Sequence, residues 1–182
     1  IITSREALET RVAPKAIGII GGGAIGVEFA DFFRASGTEV TIFEMLPHLV
    51  PLEDEDVSVE LERAFKKQGI NFVTSARVSG AEECDKVLLG VGVQPNTDSL
   101  GLESAGVMLD ARGFIEIDDR MQTSAPGVYA VGDVTGKLLL AHVAFAQGVV
   151  AAETIAGRDP EPLDYVNMPR AVYCEPQVAS VG

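Results

Sequence analysis

The stretch "GIIGGGAIGVEFADFF" at residues 18–33 limits the possible folds of this chain more than any other. The apolar run "AIGII" at 16–20 reads as a buried strand, and Pro14 marks a turn ahead of it. The run then breaks into glycines and resumes as a helical pattern over 24–36, with Gly37 placed to stop it in the left-handed conformation that glycine adopts freely. Gly21, Gly23 and Gly26 fit G-x-G-x-x-G. The first permits a tight strand-to-helix turn, the second lets a backbone approach a pyrophosphate, and the third lets the helix pack against the strand. The uncapped N–H groups and positive dipole end of such a helix receive phosphate oxygens. Gly22, Ala24 and Ile25 complete this turn. Many ordinary turns match the pattern, so its context decides.

That context is a second strand, "EVTIFE" at 39–44, rich in β-branched residues. It ends in Glu44, 18 residues beyond Gly26. An acid at this place accepts both hydroxyls of an adenosine ribose and repels a 2′-phosphate. "EMLPHLV" after the strand has no Arg or Lys, which selects NAD over NADP. "GDVTGKL" is not a P-loop, because Val131 and Leu138 stand where glycine and Ser or Thr are required.

Asp54 is placed to cap a second helix, in which Val57, Leu61, Ala64 and Phe65 recur on one face. Lys66 and Lys67 suit its last turn, and Gly69 ends it. "INFVT" at 70–74 is the next strand, so strand, helix, strand, helix and strand follow one another as a parallel α/β unit. Only 75–85 separate it from the strand-like "KVLLGV" at 86–91, too few residues for a packed crossover helix. A hairpin or a single irregular excursion is expected there.

Beyond the "GVQPNT" turn, "GFIEI" (113–117) and "GVYAV" (127–131) read as short strands. Residues 138–156 read as an apolar helix ended by Gly157. "GRDPEPLDY" at 157–165 has the composition of a linker, and "RAVYC" at 170–174 starts another strand. The glycine patch "GVGVQPN" (90–96) lies at a strand end, the edge where open α/β sheets bind ligands. Asp133, at the end of "YAVGD", either binds polyol hydroxyls or makes an Asx-type turn. Leu140, Ala141 and His142 open a helix whose free N–H groups can meet an electron-rich ring or an anion. Taken alone, His142 reads as a helix-start residue with a satisfied ring. Glu28, one turn inside the first helix, reads from sequence alone as a solvated residue.

The chain has 182 residues, enough for one domain or parts of two, with 47% hydrophobic and 23% charged residues. Its net charge of −13 argues against nucleic acid and anionic membranes as partners. Cys84 and Cys174 are far apart and, with only His48 and His142, form no metal-ligand set, so no metal is expected. A pair of buried thiols in a cytoplasmic protein is the expectation. The longest apolar segment is shorter than the ~20 residues of a membrane helix. The chain opens at Ile1 without methionine or a basic leader, which predicts a piece of something longer.

"PKAIGIIGGGAIGVEFADFF", "VTIFEMLPHLVPLEDEDVSVELERAFKKQGI", "GVQPNT", "TSAPGVYAVGDVTG", "LLAHVAFAQGVVAAE" and "VYCEPQVASVG" follow one another almost end to end. In this order they resemble the pyridine nucleotide–disulfide oxidoreductases, and within them the dihydrolipoyl dehydrogenases. The resemblance implies a Rossmann-like NAD-binding domain with a parallel sheet over residues 1–98. It further implies a second segment of an FAD domain over 99–165 and the start of an interface domain over 166–182.

By the same resemblance Gly21–Gly26 bind the NAD pyrophosphate, Glu44 the ribose, and Val78 and Gly92 line the nucleotide site. Asp133 holds the flavin ribityl chain, and Leu139, Leu140, Ala141 and His142 lie near the flavin ring. Glu28 is moved from bystander to a residue that positions hydride transfer at the nicotinamide–flavin contact. The implied reaction is oxidation of dihydrolipoamide by NAD through FAD and a redox disulfide. The implied partners are a second copy of the full-length protein, as a homodimer, and a 2-oxo acid dehydrogenase complex or related lipoyl domains.

The family's other G-x-G-x-x-G, its CxxxxC pair and its His-Glu base are not in this sequence, and the excursion at 75–85 is shorter than the usual β-meander. This chain alone is therefore expected to be inactive. Another disulfide reductase, an NADH oxidase, or a non-catalytic NAD-binding module remain as alternatives.

Overall fold

A computed structural model describes residues 1–78 and 84–182. The backbone gathers into two compact units, Ile1–Gly92 with Ala171–Ser180, and Val93–Arg170 with Val181–Gly182.

The first unit is built on four strands, β1 (Ala16–Ile20), β2 (Glu39–Phe43), β3 (Asn71–Val73) and β4 (Lys86–Leu89). Their order is β3-β2-β1-β4, and every pairing is parallel. The register sets Ile17 beside Val40 and places Ile19 between Ile42 and Leu88. All five side chains are fully buried. β2 alternates buried and open positions, whereas central β1 buries three successive residues, the pattern of a strand covered on both faces.

Helix α2 (Ala24–Ala35) buries Val27, Ala30 and Phe33 at a spacing of three, and α3 (Glu55–Gln68) buries Leu61 and Phe65 one turn apart. Gly37 and Gly69 follow these helices at φ of +85° and +77°. In the same core lie Val172, Cys174 and Val178 from β5 (Arg170–Val172), β6 (Val178–Ser180) and their connection. Each aliphatic side chain buried this fully contributes about 1.5–3 kcal/mol.

Several expectations change. Asp54 holds the N-cap position of α3, but its side chain makes no capping bond. β3 and β4 do not form a hairpin: they lie at opposite edges of the sheet, each parallel to its neighbour. Crossing three strand spacings is roughly 14 Å, well within reach of an extended dozen residues, so no packed helix is needed. Part of that excursion, 79–83, lies outside the described residues. A short helix α1 (Ser4–Leu8) precedes the sheet, with Thr3 N–H donating to Glu6 Oε2 at 2.7 Å. The T-x-x-E signal of a capping box stands in the sequence at 3–6.

The second unit is turn-rich. The expected strands at 113–117 and 127–131 are reduced to isolated bridges, Leu109 with Ile115 and Gln122 with Tyr129. Side chains capture the backbone donors that a ladder needs. Asp110 accepts from Arg112 and Phe114 N–H, and Asp118 accepts from Arg120 and Gln122 N–H. Helix α4 (Ala141–Ile155) starts three residues later than the apolar run, and Gly157 follows it at φ +72°. The linker-like segment packs inside this unit, with Leu163 against the Met121, Val150 and Ala151 cluster.

Phe33→Ala should cost about 3–5 kcal/mol of unfolding free energy, the range for emptying a buried aromatic site. Guanidinium denaturation followed by circular dichroism checks this.

Candidate functional site

At the end of β1 the backbone is held by contacts that only glycine permits. Gly21 has φ +105°, and a Cβ there would lie 2.4 Å from the Gly90 carbonyl oxygen. A Cβ on Gly26 would lie 1.9 Å from the Gly21 carbonyl oxygen, so helix α2 rests directly on the turn. Gly23 is different. It is the N-cap of α2, no side chain caps the helix, and a Cβ on it would meet no heavy atom within 4 Å. The helix N-terminus therefore faces open room in which an anion can approach the backbone.

Glu44 closes one wall. It is buried, and Gly22 N–H donates to its Oε2 at 2.6 Å while Leu46 N–H donates to its Oε1 at 2.7 Å. Each oxygen accepts one bond and keeps a further lone pair for a hydroxyl. A cleft of about 400 Å³ brings Gly21, Gly23, Glu44, Val78 and Gly92 together. Gly22 lies behind the cleft against Leu49 and Glu44, and Gly26 lies in the helix–turn contact. Ala24 and Ile25 form the first turn of α2 and do not line the cleft. The glycine turn and carboxylate fit a pyrophosphate joined to a ribose: donors for the first, an acceptor pair for the second.

The second unit has a separate cavity of about 310 Å³, lined by Asp133, Leu139, Gln94 and Asn96 among others. Asp133 opens a single 3₁₀ turn, Asp133–Thr135, after Gly132 at φ +83°. Leu140 is the N-cap of α4 and offers no side-chain cap, which leaves the first-turn N–H groups at Ala141 and His142 without a capping acceptor. His142 Nε2 lies 2.9 Å from the Pro169 carbonyl, a geometry in which Nε2–H donates. Leu140, Ala141 and His142 do not line the cavity. Asp133 and Leu139 share this cavity, where the carboxylate can accept from a hydroxyl-bearing ligand.

Glu28 is not a solvated bystander. It is half-buried, and its Oε1 accepts from Tyr173 N–H at 2.8 Å, tying α2 to the segment after β5. Nearby Cys174 is buried and its thiol donates to the Pro176 carbonyl at 3.3 Å. Burial, with the Asp31, Glu28 and Glu175 carboxylates beside it, pushes that thiol up to about 11. Burial likewise raises Asp31 above the usual carboxylate range. Cys84, expected to be buried, is only half-buried.

Sequence reading passed over two contributors. Gln147 is fully buried in α4; its Oε1 accepts from Gly132 N–H at 2.6 Å and its Nε2 donates to Tyr165 Oη at 3.0 Å. It fixes the turn that carries Asp133, and a lone amide interrupting an apolar helix was the available signal. Arg77 lines the same cleft as Glu44, and no sequence pattern marks it.

The model of the pyridine nucleotide-disulphide oxidoreductase family matches residues 1–148. A dihydrolipoyl dehydrogenase of Mycobacterium leprae is 46% identical, over all of this chain and 43% of its own. One from Chlamydia pneumoniae is 43% identical, over all of this chain and 42% of its own. Among solved structures, LpdA of Mycobacterium tuberculosis superposes with a TM-score of 0.92 at 32% identity, covering all of this chain and 43% of its own. The HOCl-induced flavoprotein disulfide reductase RclA of Escherichia coli gives 0.92 at 31% identity, with coverage of 100% and 45%. The chain thus spans less than half the length of these relatives.

Because the folded Cys174 thiol titrates above its unfolded value, its contribution to stability is complete below about 9 and is lost as pH rises toward about 11. Unfolding midpoints across that window should fall more steeply for the wild-type chain than for Cys174→Ala. Equal slopes would show that the thiol does not carry the alkaline loss.

Proposed function

The chain belongs to the pyridine nucleotide–disulphide oxidoreductase family, and from that premise we propose that it forms the NAD-binding domain and a segment of the FAD domain of a dihydrolipoyl dehydrogenase. The observation that carries the reading is the cleft in which an uncapped helix N-terminus, side-chain-free Gly23 and buried Glu44 converge. Identities of 46% and 43% to the dihydrolipoyl dehydrogenases of M. leprae and C. pneumoniae, each over all of this chain, support this branch.

In this reading the reaction is dihydrolipoamide plus NAD⁺ to lipoamide plus NADH and a proton. A bound flavin supplies the two-electron relay between a dithiol and the nicotinamide. Gly21–Gly26 bind the pyrophosphate through backbone N–H groups. Glu44 accepts the ribose hydroxyls and, by its charge, disfavours a 2′-phosphate, which makes NAD the preferred nucleotide. Val78 and Gly92 complete the nucleotide wall. Asp133 accepts from the ribityl hydroxyls, and the backbone at Leu140–His142 presents the start of α4 to the flavin ring, with Leu139 beside it.

Glu28 acts as a positioning residue for hydride transfer: by holding Tyr173 N–H it keeps α2 and the 171–180 segment in one arrangement. The domain limits follow the same reading, NAD-binding over 1–98, FAD-binding over 99–165 and interface from 166. The partners proposed are a second copy of the full-length protein and a 2-oxo acid dehydrogenase complex or related lipoyl domains, in the cytoplasm. No helix among the described residues is long and apolar enough to cross a membrane.

The test is calorimetric titration of the purified chain with NADH and with FAD; NADH should bind and FAD bind weakly. Glu44→Ala should weaken NADH by about 1–2 kcal/mol, the loss of a charge-assisted bond. It should also lower thermal stability, because Gly22 and Leu46 N–H lose their acceptor. Unchanged NADH affinity would refute the ribose role. The chain alone should produce no NADH from dihydrolipoamide, since Cys84 and Cys174 do not form the CxxxxC pair.

A further inference from the structure

A dinucleotide presents its adenosine half in the covalent order phosphate, ribose, base. The first two have matching residues at the ends of adjacent strands: the glycine turn after β1 and Glu44 directly after β2. The next strand outward is β3, which pairs with β2. The chain leaving β3 runs beside the residues around Glu44, with Ser75 N–H donating to the Leu46 carbonyl and Ala76 N–H to the Glu44 carbonyl, both at 2.9 Å. Arg77 is the following residue and lines the same cleft.

The charges of the cleft point the same way. Among its described lining residues Glu44 is the only anion and Arg77 the only cation. The Glu44 carboxylate is engaged by two N–H donors, whereas Arg77 takes part in none of the ion pairs among the described residues. The remaining wall is apolar, with Met45, Leu46 and Val91 substantially exposed. A flat heteroaromatic ring suits such a wall on one side and a planar guanidinium on the other. Phosphate pairing fits less well, because the N–H donors for phosphate lie two strands away, roughly 10 Å by strand spacing. A 2′-phosphate on the ribose would face Glu44.

We propose that Arg77 is the adenine-binding residue of this cleft, its guanidinium stacked on the base. The inference rests on the dinucleotide reading above and adds a contact that the glycine motif and the ribose acid do not provide.

The experiment compares NADH, NADPH and AMP binding to the wild-type chain, Arg77→Gln and Arg77→Lys, at low and high salt. Arg77 is exposed, so the variants should keep the wild-type circular dichroism spectrum and melting point. Arg77→Gln should weaken both NADH and AMP by about five-fold, the scale of a surface cation–π contact. The loss should persist at high salt, and lysine should restore only part of it. Unchanged NADH and AMP affinity in Arg77→Gln, with NADH bound by the wild type, would overturn the proposal while leaving the dinucleotide reading intact.

Full rescue by lysine, with the difference vanishing at high salt, would overturn it in favour of phosphate pairing. Preference of the wild type for NADPH, lost in Arg77→Gln, would overturn it in favour of a 2′-phosphate contact. A wild-type chain that binds no dinucleotide would overturn the proposed function and this inference with it.

Discussion

Helix α2 can reach the end of β1 only because Gly26 has no side chain. With a Cβ 1.9 Å from the Gly21 carbonyl, the helix would have to back away from the strand. That contact aims the helix N-terminus over the turn, with its N-cap Gly23 lining the cleft. It also sets the glycine turn close enough to β2 for Gly22 N–H to reach Glu44 at 2.6 Å. The sheet, the turn and Glu44 are therefore one mechanical assembly. A side chain at residue 26 would disturb the core and the cleft together.

Glu44 shows how such an assembly combines structure with recognition. A buried carboxylate is costly unless its oxygens are satisfied, and here two backbone N–H groups satisfy them. Those bonds hold the acid in place before any ligand arrives. They use only one acceptor site on each oxygen, so the capacity for hydroxyls remains. The same logic recurs in the second unit, where buried Gln147 holds Gly132 and thereby the turn that carries Asp133. In both places a buried polar side chain fixes the backbone of a turn from behind.

The parts of the fold legible in the sequence were those whose signals are local. β1 and β2, α2 and α3 with their glycine stops, and the parallel α/β class follow from apolar periodicity and from turn residues. The reading failed where the outcome depends on partners distant in sequence. The strands expected at 113–117 and 127–131 have the right apolar content, but Asp110 takes the Phe114 N–H of the first, and Asp118 takes the N–H of Gln122, the bridge partner of Tyr129 in the second. Of the two alternatives open between β3 and β4, a hairpin and a single irregular excursion, the hairpin is excluded because strand choice is set by burial. Val87 and Leu88 become buried beside β1, and no short-range pattern encodes that pairing.

The candidate site divides in the same way. The glycine spacing and an acid at the next strand's end lie within 24 residues of one another, from Gly21 to Glu44, and are visible in sequence because the turn needs those residue types whatever surrounds them. Sequence by itself thus determined the fold class, the glycine turn and the acid that follows β2. Tertiary structure alone decided that Glu28 meets the backbone of Tyr173, 145 residues away, that Cys174 is buried among carboxylates, and that Arg77 shares a cleft with Glu44. The physical reason is that local conformation follows from steric and hydrogen-bonding preferences of neighbouring residues. Burial, pKa and cleft lining arise only when packing brings distant segments together.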